Sequence, residues 1–575
     1  MILLALLACI SAAFSWGIGF EYRWTGDTTE TFYRIVRNTP ADAERGGSLL
    51  TALAENLTAV VASQPLTHWY QGLFDAYLRS FHVAWNDISL AYKIQVLPLT
   101  LLYGVGAYFF FLHLTGKRWI AFTLAILALL PMPISWAGER AGLGPIWTYT
   151  RRYFLTAWLP ILALLYYRGV LDNPKLLIPA VILVGATANL HSSGVILLQV
   201  LLLAYLLNTG ISRKRVTQAI GLLGLGLCFS LTALGSLWTK GLKNISELIL
   251  SAATGEAQAS PLRTLIATSE KIPNELQYLF YPPKIYAQWS PALVDAWLLA
   301  TIFLSLLPLI YRAKNREEQH GLLLAASGAC LLFVSLEKMW VWVLLGTILY
   351  FARSDGKHPR AYVLSCYLLI ANFWVAVVGM LLFQIGLATI EGFPLIFDQL
   401  RGIRFMGFWV FPWLATLAIP LLTNPGAISR PLRSALAFGL MVVVATTAQT
   451  FYRQYFRTLG TDHFAEKRDL LRMAEWAKRN TPTNAVFLVH FSSFGVVAER
   501  GVAVSDRASE RESAEKMPPH GVATVPEAVQ IAARYGATHA FLANDSAQGT
   551  VQECTLTTGQ IYALMDVGCL RRIRE

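Results

Sequence analysis

The chain has 575 residues, of which 55% are apolar and only 14% charged, with a formal net charge of +12 and a mean hydropathy of +0.48. That composition excludes a disordered protein, a secreted disulfide framework and an ordinary cytosolic enzyme, because a water-soluble fold cannot hide so much uninterrupted hydrocarbon. A pI near 9.4 would suit nucleic acid, but the cations fall in short clusters between apolar segments, as membrane topology demands. Membrane lipids, and not nucleic acid, are the expected surroundings.

In chain order, Met1–Phe20 is the first apolar run. It has the length of a signal anchor, although Ser11, Ala12 and Ala13 loosely imitate a cleavage site. A long segment rich in charge and aromatics follows, over residues 21–93. Further spans are expected near Val96–Leu114, Trp119–Trp136, Tyr153–Tyr167, Val216–Trp238, Pro291–Tyr311, Ala361–Gly386, Met406–Thr423 and Ser434–Thr450. Two apolar stretches carry an internal break: Leu176–Asn208 at His191-Ser192-Ser193-Gly194, and Gly321–Phe351 at Glu337-Lys338. Each reads as a pair of short helices, the alternative being one long tilted helix with a polar kink.

Charge tests the count. With the N-terminus inside and both broken stretches counted as pairs, the inner turns collect fifteen cations against four acids. They include Lys117-Arg118, Arg168 with Lys175, Arg213-Lys214-Arg215, Arg312 to Arg316, Arg353 to Arg360, and Arg430 with Arg433. The sequence therefore predicts a polytopic α-helical membrane protein of about thirteen spans over residues 1–450, with the C-terminus outside.

Residues 451–575 read as a small extracytoplasmic α/β domain. Glu466–Asn480 has helical spacing and is stopped by Thr481-Pro482. Ala485–Val489, Gly501–Ser505 and Ala537–Ala543 are short strands, and Val525–Tyr535 is a helix ended by Gly536. Cys554 and Cys569 share this exported stretch and are either one disulfide or two free thiols. Cys9, Cys228, Cys330 and Cys366 fall in spans, where a small apolar role is the default. No Cys/His metal spacing, Walker loop or GxSxG elbow occurs.

The polar features gather on the outer side. The first outer segment opens Glu21-Tyr22-Arg23-Trp24-Thr25-Gly26-Asp27-Thr28-Thr29-Glu30. Carboxylates there can hold a divalent cation or take a proton from an acceptor hydroxyl; Asp27 is equally suited to cap a helix. His68, Glu139-Arg140, Arg151-Arg152, His191, Arg401 and Arg404 would face the same compartment. Arginines on that side either fork onto phosphate or snorkel to lipid headgroups.

Together these pieces resemble the GT-C superfamily of integral-membrane glycosyltransferases. The resemblance rests on the N-terminal span, the long outer segment with an early acid and the outer C-terminal domain. It rests also on Ala188-Asn189-Leu190-His191-Ser192-Ser193-Gly194, Leu400-Arg401-Gly402-Ile403-Arg404-Phe405, Glu475–Pro482 and Glu499–Asp506, which are similar to stretches of GT-C-related bacterial membrane proteins. It implies a place in a bacterial inner membrane and a polyprenyl-phosphate-linked sugar as donor. It also implies Asp27 as catalytic acid, with Glu30 beside it for a Mg or Mn ion, and Arg152, His191, Arg401 and Arg404 for the donor phosphate. The chain has Asp27-Thr28 where GT-C enzymes often show paired acids or an acid before an aromatic. Two readings stand beside the transferase: a non-catalytic membrane scaffold that binds a partner, and a transporter. The second is disfavoured because few ionisable groups besides Asp295 fall within spans.

Overall fold

The computed structural model describes residues 2–13, 48–63, 69–85, 88–129, 135–136, 139–140, 151–189, 193–231, 360–385, 462–489, 500–502, 525–543, 552–558 and 562–574, with isolated positions at 234, between 405 and 445, and at 494, 497 and 498. The described residues up to 385 are mainly helical: α1 (Ile2–Ala13), α2 (Leu49–Ser63), α3 (Trp69–Ala84), α4 (Ile88–Thr115), α5 (Arg118–Leu129), α6 (Arg151–Leu171), α7 (Leu177–Ala188), α8 (Ser193–Thr209), α9 (Arg213–Phe229) and α10 (Arg360–Ile385). A two-residue hairpin, β1 (Ser135–Trp136) with β2 (Glu139–Arg140), stands between α5 and α6.

The thirteen-span membrane fold is corrected. Among the described residues one helix, Val96–Thr115, is long and apolar enough to cross a bilayer, and about half of that stretch is buried inside the protein. Six further apolar helices, among them Arg118–Leu129 and Ser193–Thr209, have only 10–17 residues. At about 1.5 Å per residue the 12 residues of α7 reach about 18 Å, well short of a hydrocarbon core of about 30 Å. Leu176–Asn208 does break into a pair, α7 and α8. The reason for the miscount is physical: hydropathy records that a side chain is apolar, not whether it meets lipid or another helix. Tyr103, Ala107, Phe110, Leu159, Ala163 and Leu197 all meet protein, in one buried cluster shared by α1 and α4 to α10. Pro291–Tyr311, Gly321–Phe351, Ser434–Thr450 and most of Met406–Thr423 lie outside the described residues.

Small residues let these helices close on one another. A Cβ on Gly185 of α7 would overlap the carbonyl oxygen of Gly226 on α9, so the two backbones touch there. Buried hydroxyls are bonded across helices: Tyr166 Oη donates to the Leu201 carbonyl (2.6 Å), and Tyr167 Oη lies 2.8 Å from Ser365 Oγ. Edge-on rings of Phe110 and Tyr167, 5.1 Å apart, fill the space between α4 and α6.

The C-terminal region is a sheet whose strands β3, β5 and β7 are covered on both faces. Its elements are α11 (Asp462–Asn480), β3 (Val486–Leu488), β4 (Gly501–Val502), α12 (Val525–Tyr535), β5 (His539–Ala543), β6 (Thr555–Thr558), β7 (Tyr562–Asp566) and α13 (Val567–Arg574). The strand order is β4-β3-β5-β7-β6, with β3 parallel to β4 and β5 and with β7 antiparallel to β5 and β6. Side-chain alternation splits the strands. Phe487, Phe541, Tyr562 and Leu564 face α11, whereas Leu488, Ala540, Leu542, Ala563 and Met565 face α12 and α13. Gly536, with φ +65°, ends α12 in the left-handed conformation that lets the chain turn into β5. β6, β7 and α13 are additions to the expected strands and helices.

Candidate functional site

The helical body has two unlike ends, and three contacts define the first of them. His113 Nε2 lies 3.8 Å from Asp172 Oδ2, joining the α4–α5 turn to the α6–α7 turn. Arg215 donates to Tyr205 Oη (3.1 Å), tying the start of α9 to the end of α8. The Tyr167–Ser365 bond brings the last turns of α6 to the first turns of α10. Lys117, Arg118, Arg168, Lys175, Arg213, Lys214, Arg215 and Arg360 therefore share one end of the body.

The opposite end carries the C-terminal sheet. Leu78 of α3, Val96 and Leu99 of α4 and Ala157 of α6 form one continuous apolar cluster with α11 and the facing strands. The α11 contribution, Leu470, Met473, Ala474 and Ala477, follows helical spacing and makes a single stripe. Asp469 is buried beside that stripe, and its Oδ2 accepts the backbone N–H of Tyr562 at the start of β7 (3.2 Å). Arg500 closes the far end of α11: its Nη2 donates to the carbonyls of Lys478 (2.8 Å) and Thr481 (2.7 Å), and its Nε to Thr481 Oγ1. A cation there also meets the negative end of the helix dipole. The strength of this seam is not legible in the sequence, where Leu78, Val96, Leu99 and Ala157 look like any other apolar positions.

Arg152 stands in the first turn of α6, one and a half turns before Ala157, and so at the end where the sheet docks. Asp27, Glu30, His191, Arg401 and Arg404 lie outside the described residues. No three His, Cys, Asp or Glu side chains converge among the described residues, so the expected Mg or Mn ion has no seat there; the acids assigned to it, Asp27 and Glu30, are not among them. Cys554 and Cys569 are joined in a disulfide with Cα atoms 5.4 Å apart, linking the turn before β6 to α13.

One further side chain is poised by its surroundings. His539 opens β5, stacks on Phe487 with centroids 4.6 Å apart, and has its Nδ1 2.7 Å from the Thr538 hydroxyl. Burial lowers its proton affinity below the ordinary 6.5, and the Asp566 carboxylate opposes that shift in part.

Residues 468–509 match a family model described as a domain of unknown function, DUF6798. The matched stretch runs from α11 through β3 and Arg500 to β4 and a little beyond. No curated protein matches the chain.

Proposed function

We propose that the protein is a membrane-bound transferase that moves a sugar from a polyprenyl-phosphate donor to an acceptor on the side of the C-terminal sheet. The observation that carries this reading is the segregation of the two ends: exposed cations gather at one, and a docked α/β unit covers the other, where Arg152 enters α6. Apolar flanks support it as well, since Phe109, Trp119, Ile178, Ile220 and Phe229 stand exposed on the outside of the helices. A polyprenyl donor arrives within the bilayer and presents its phosphate at the interface, beside such a polar cap. Arg152, His191, Arg401 and Arg404 hold the departing phosphate, and Asp27 takes the proton of the acceptor hydroxyl as the new glycosidic bond forms. Cation placement suits this polarity, with the basic end toward the cytoplasm.

A second reading is a non-catalytic protein that binds a partner through the sheet. It is favoured by α13, where Arg571, Arg572 and Ile573 are exposed on the layer that faces away from the body. The experiment compares purified wild-type, Asp27→Asn and Arg152→Ala proteins on a radiolabelled polyprenyl-phosphate sugar with an extracted envelope acceptor. Loss of product in Asp27→Asn at an unchanged unfolding midpoint supports transfer; full activity of that variant removes Asp27 as the base. A wild type that yields no product while binding an envelope protein through α13 replaces transfer with the second reading.

A further inference from the structure

The cationic end has properties that topology alone does not require. Eight cations meet there, and Asp172 is the one acid among the described residues of those turns. Several stand where their own helices oppose them. Arg118 opens α5, Arg213 to Arg215 open α9 and Arg360 opens α10, and none of these first turns contains an acid. A helix N-terminus carries partial positive charge, so each of these cations is repelled by the helix it starts and by its neighbours. Arg215 has local bonds, to Tyr205 and Gln218. Lys117, Arg118, Arg213 and Lys214 are exposed to solvent.

Among the cations stand two large apolar side chains. Trp119, next to Arg118, is 70% exposed, and Ile211, two residues before Arg213, is 80% exposed. Water suits neither the bare hydrocarbon nor the crowded charge. A headgroup layer suits both, because it presents phosphate at its surface and hydrocarbon a few ångströms deeper. Nucleic acid also offers phosphate, but it would leave Trp119 and Ile211 in water.

We propose that this end is a binding surface for anionic phospholipid headgroups, with lipid phosphates against Lys117, Arg118, Arg213, Lys214 and Arg360 and with Trp119 and Ile211 set below them. The inference rests on the membrane placement argued above, and not on transferase chemistry.

The test uses the full chain in neutral detergent, titrated with phosphatidylglycerol or with phosphatidylcholine while the unfolding midpoint is followed. Wild type should bind phosphatidylglycerol at least tenfold more tightly, and the preference should shrink as salt is raised. A variant with Lys117, Arg118, Arg213 and Lys214 all changed to Gln should lose affinity by about 600-fold, since each of the four cations near an anionic surface contributes about fivefold. Without anionic lipid its midpoint should equal or exceed that of wild type, because the opposed helix starts are relieved; a merely structural role predicts the reverse. Trp119→Ser should weaken phosphatidylglycerol binding without changing its salt dependence. Equal midpoints in the two lipids, or tighter binding to a short DNA duplex than to phosphatidylglycerol, would overturn the proposal. Carbonate extraction separates its failure from that of the membrane reading. A chain retained in washed membranes but indifferent to lipid charge loses this inference alone, whereas a chain released by carbonate loses the membrane placement.

Discussion

The helical body and the C-terminal sheet solve the burial problem in opposite ways. In the body, cohesion comes from close backbone approach at Gly185 and Gly226, from rings such as Phe110 on Tyr167, and from hydroxyls bonded across helices. The sheet region instead buries both faces of β3, β5 and β7 between helical layers and adds a covalent tie, Cys554–Cys569. In the body these contacts skip a helix, α4 to α6, α6 to α8 and α7 to α9, and Tyr167 reaches Ser365 on α10. In the sheet they are strand pairings and caps: Phe487 pairs with His539 across β3 and β5, and Asp469 reaches Tyr562. A small sheet with strands of two to five residues needs staples that a large helical cluster does not.

The largest expected effect breaks the body. Gly185→Val forces a branched side chain into the Gly226 carbonyl and toward Phe229 Cβ, and backbone on both sides cannot yield cheaply. It should cost more than about 3 kcal/mol. The measurement is thermal unfolding in detergent, with hydrogen exchange showing lost protection in α7 and α9 while β5 and β7 keep theirs. Unchanged exchange in α7 and α9 would mean that the two helices are not in backbone contact.

Replacing Cys554 and Cys569 together by Ala tests the other half. The bridge closes a separation of 15 residues, for which the loop-entropy estimate is about 3 kcal/mol. Exchange should accelerate in β6, β7 and α13 and leave the body untouched, and reductant should reproduce the effect in wild type. A body that loosens in step would show that the seam couples the two regions more tightly than their separate cores suggest.

The smallest effect is one of pH. Folding lowers the proton affinity of His539, so the unfolded chain takes up the proton first as the solution is acidified. Stability from this group is complete above about 6.5, the unfolded value, and is lost as pH falls below it. The midpoint for the sheet region should drop on acidification, and His539→Gln should flatten that slope without altering the body. A slope that persists in His539→Gln would assign it to another group.

Local chemistry was readable and long-range partnership was not. The break between α7 and α8 follows from turn residues around Ser193 and Gly194, and α12 ends at Gly536 as its sequence demands. Val486–Leu488 lies inside the expected strand. By contrast, Tyr562–Asp566 runs into α13 with no turn residue between them, and its strand character comes from pairing with β5 on one side and β6 on the other. The span count failed for the same reason, since Tyr103 or Tyr167 is apolar enough for lipid yet is spent on its neighbours. For the candidate site, the fold adds the station of Arg152 at the docking end. Asp27, Glu30, His191, Arg401 and Arg404 remain positions argued from residue type and resemblance, outside the described residues.

The seam between body and sheet also dictates an order of assembly. Helices α4 to α9 meet partners close by in the chain, and such contacts form early. Leu78, Val96, Leu99 and Ala157 must wait, because the strands and α11 that cover them begin some three hundred residues later and cannot pair until β5 and β7 have been made. Until then these four side chains lack the partners that α11 and the strands supply. That interval is when the protein is most exposed to wrong partners, and its length is set by how fast the sheet region is translated and closed.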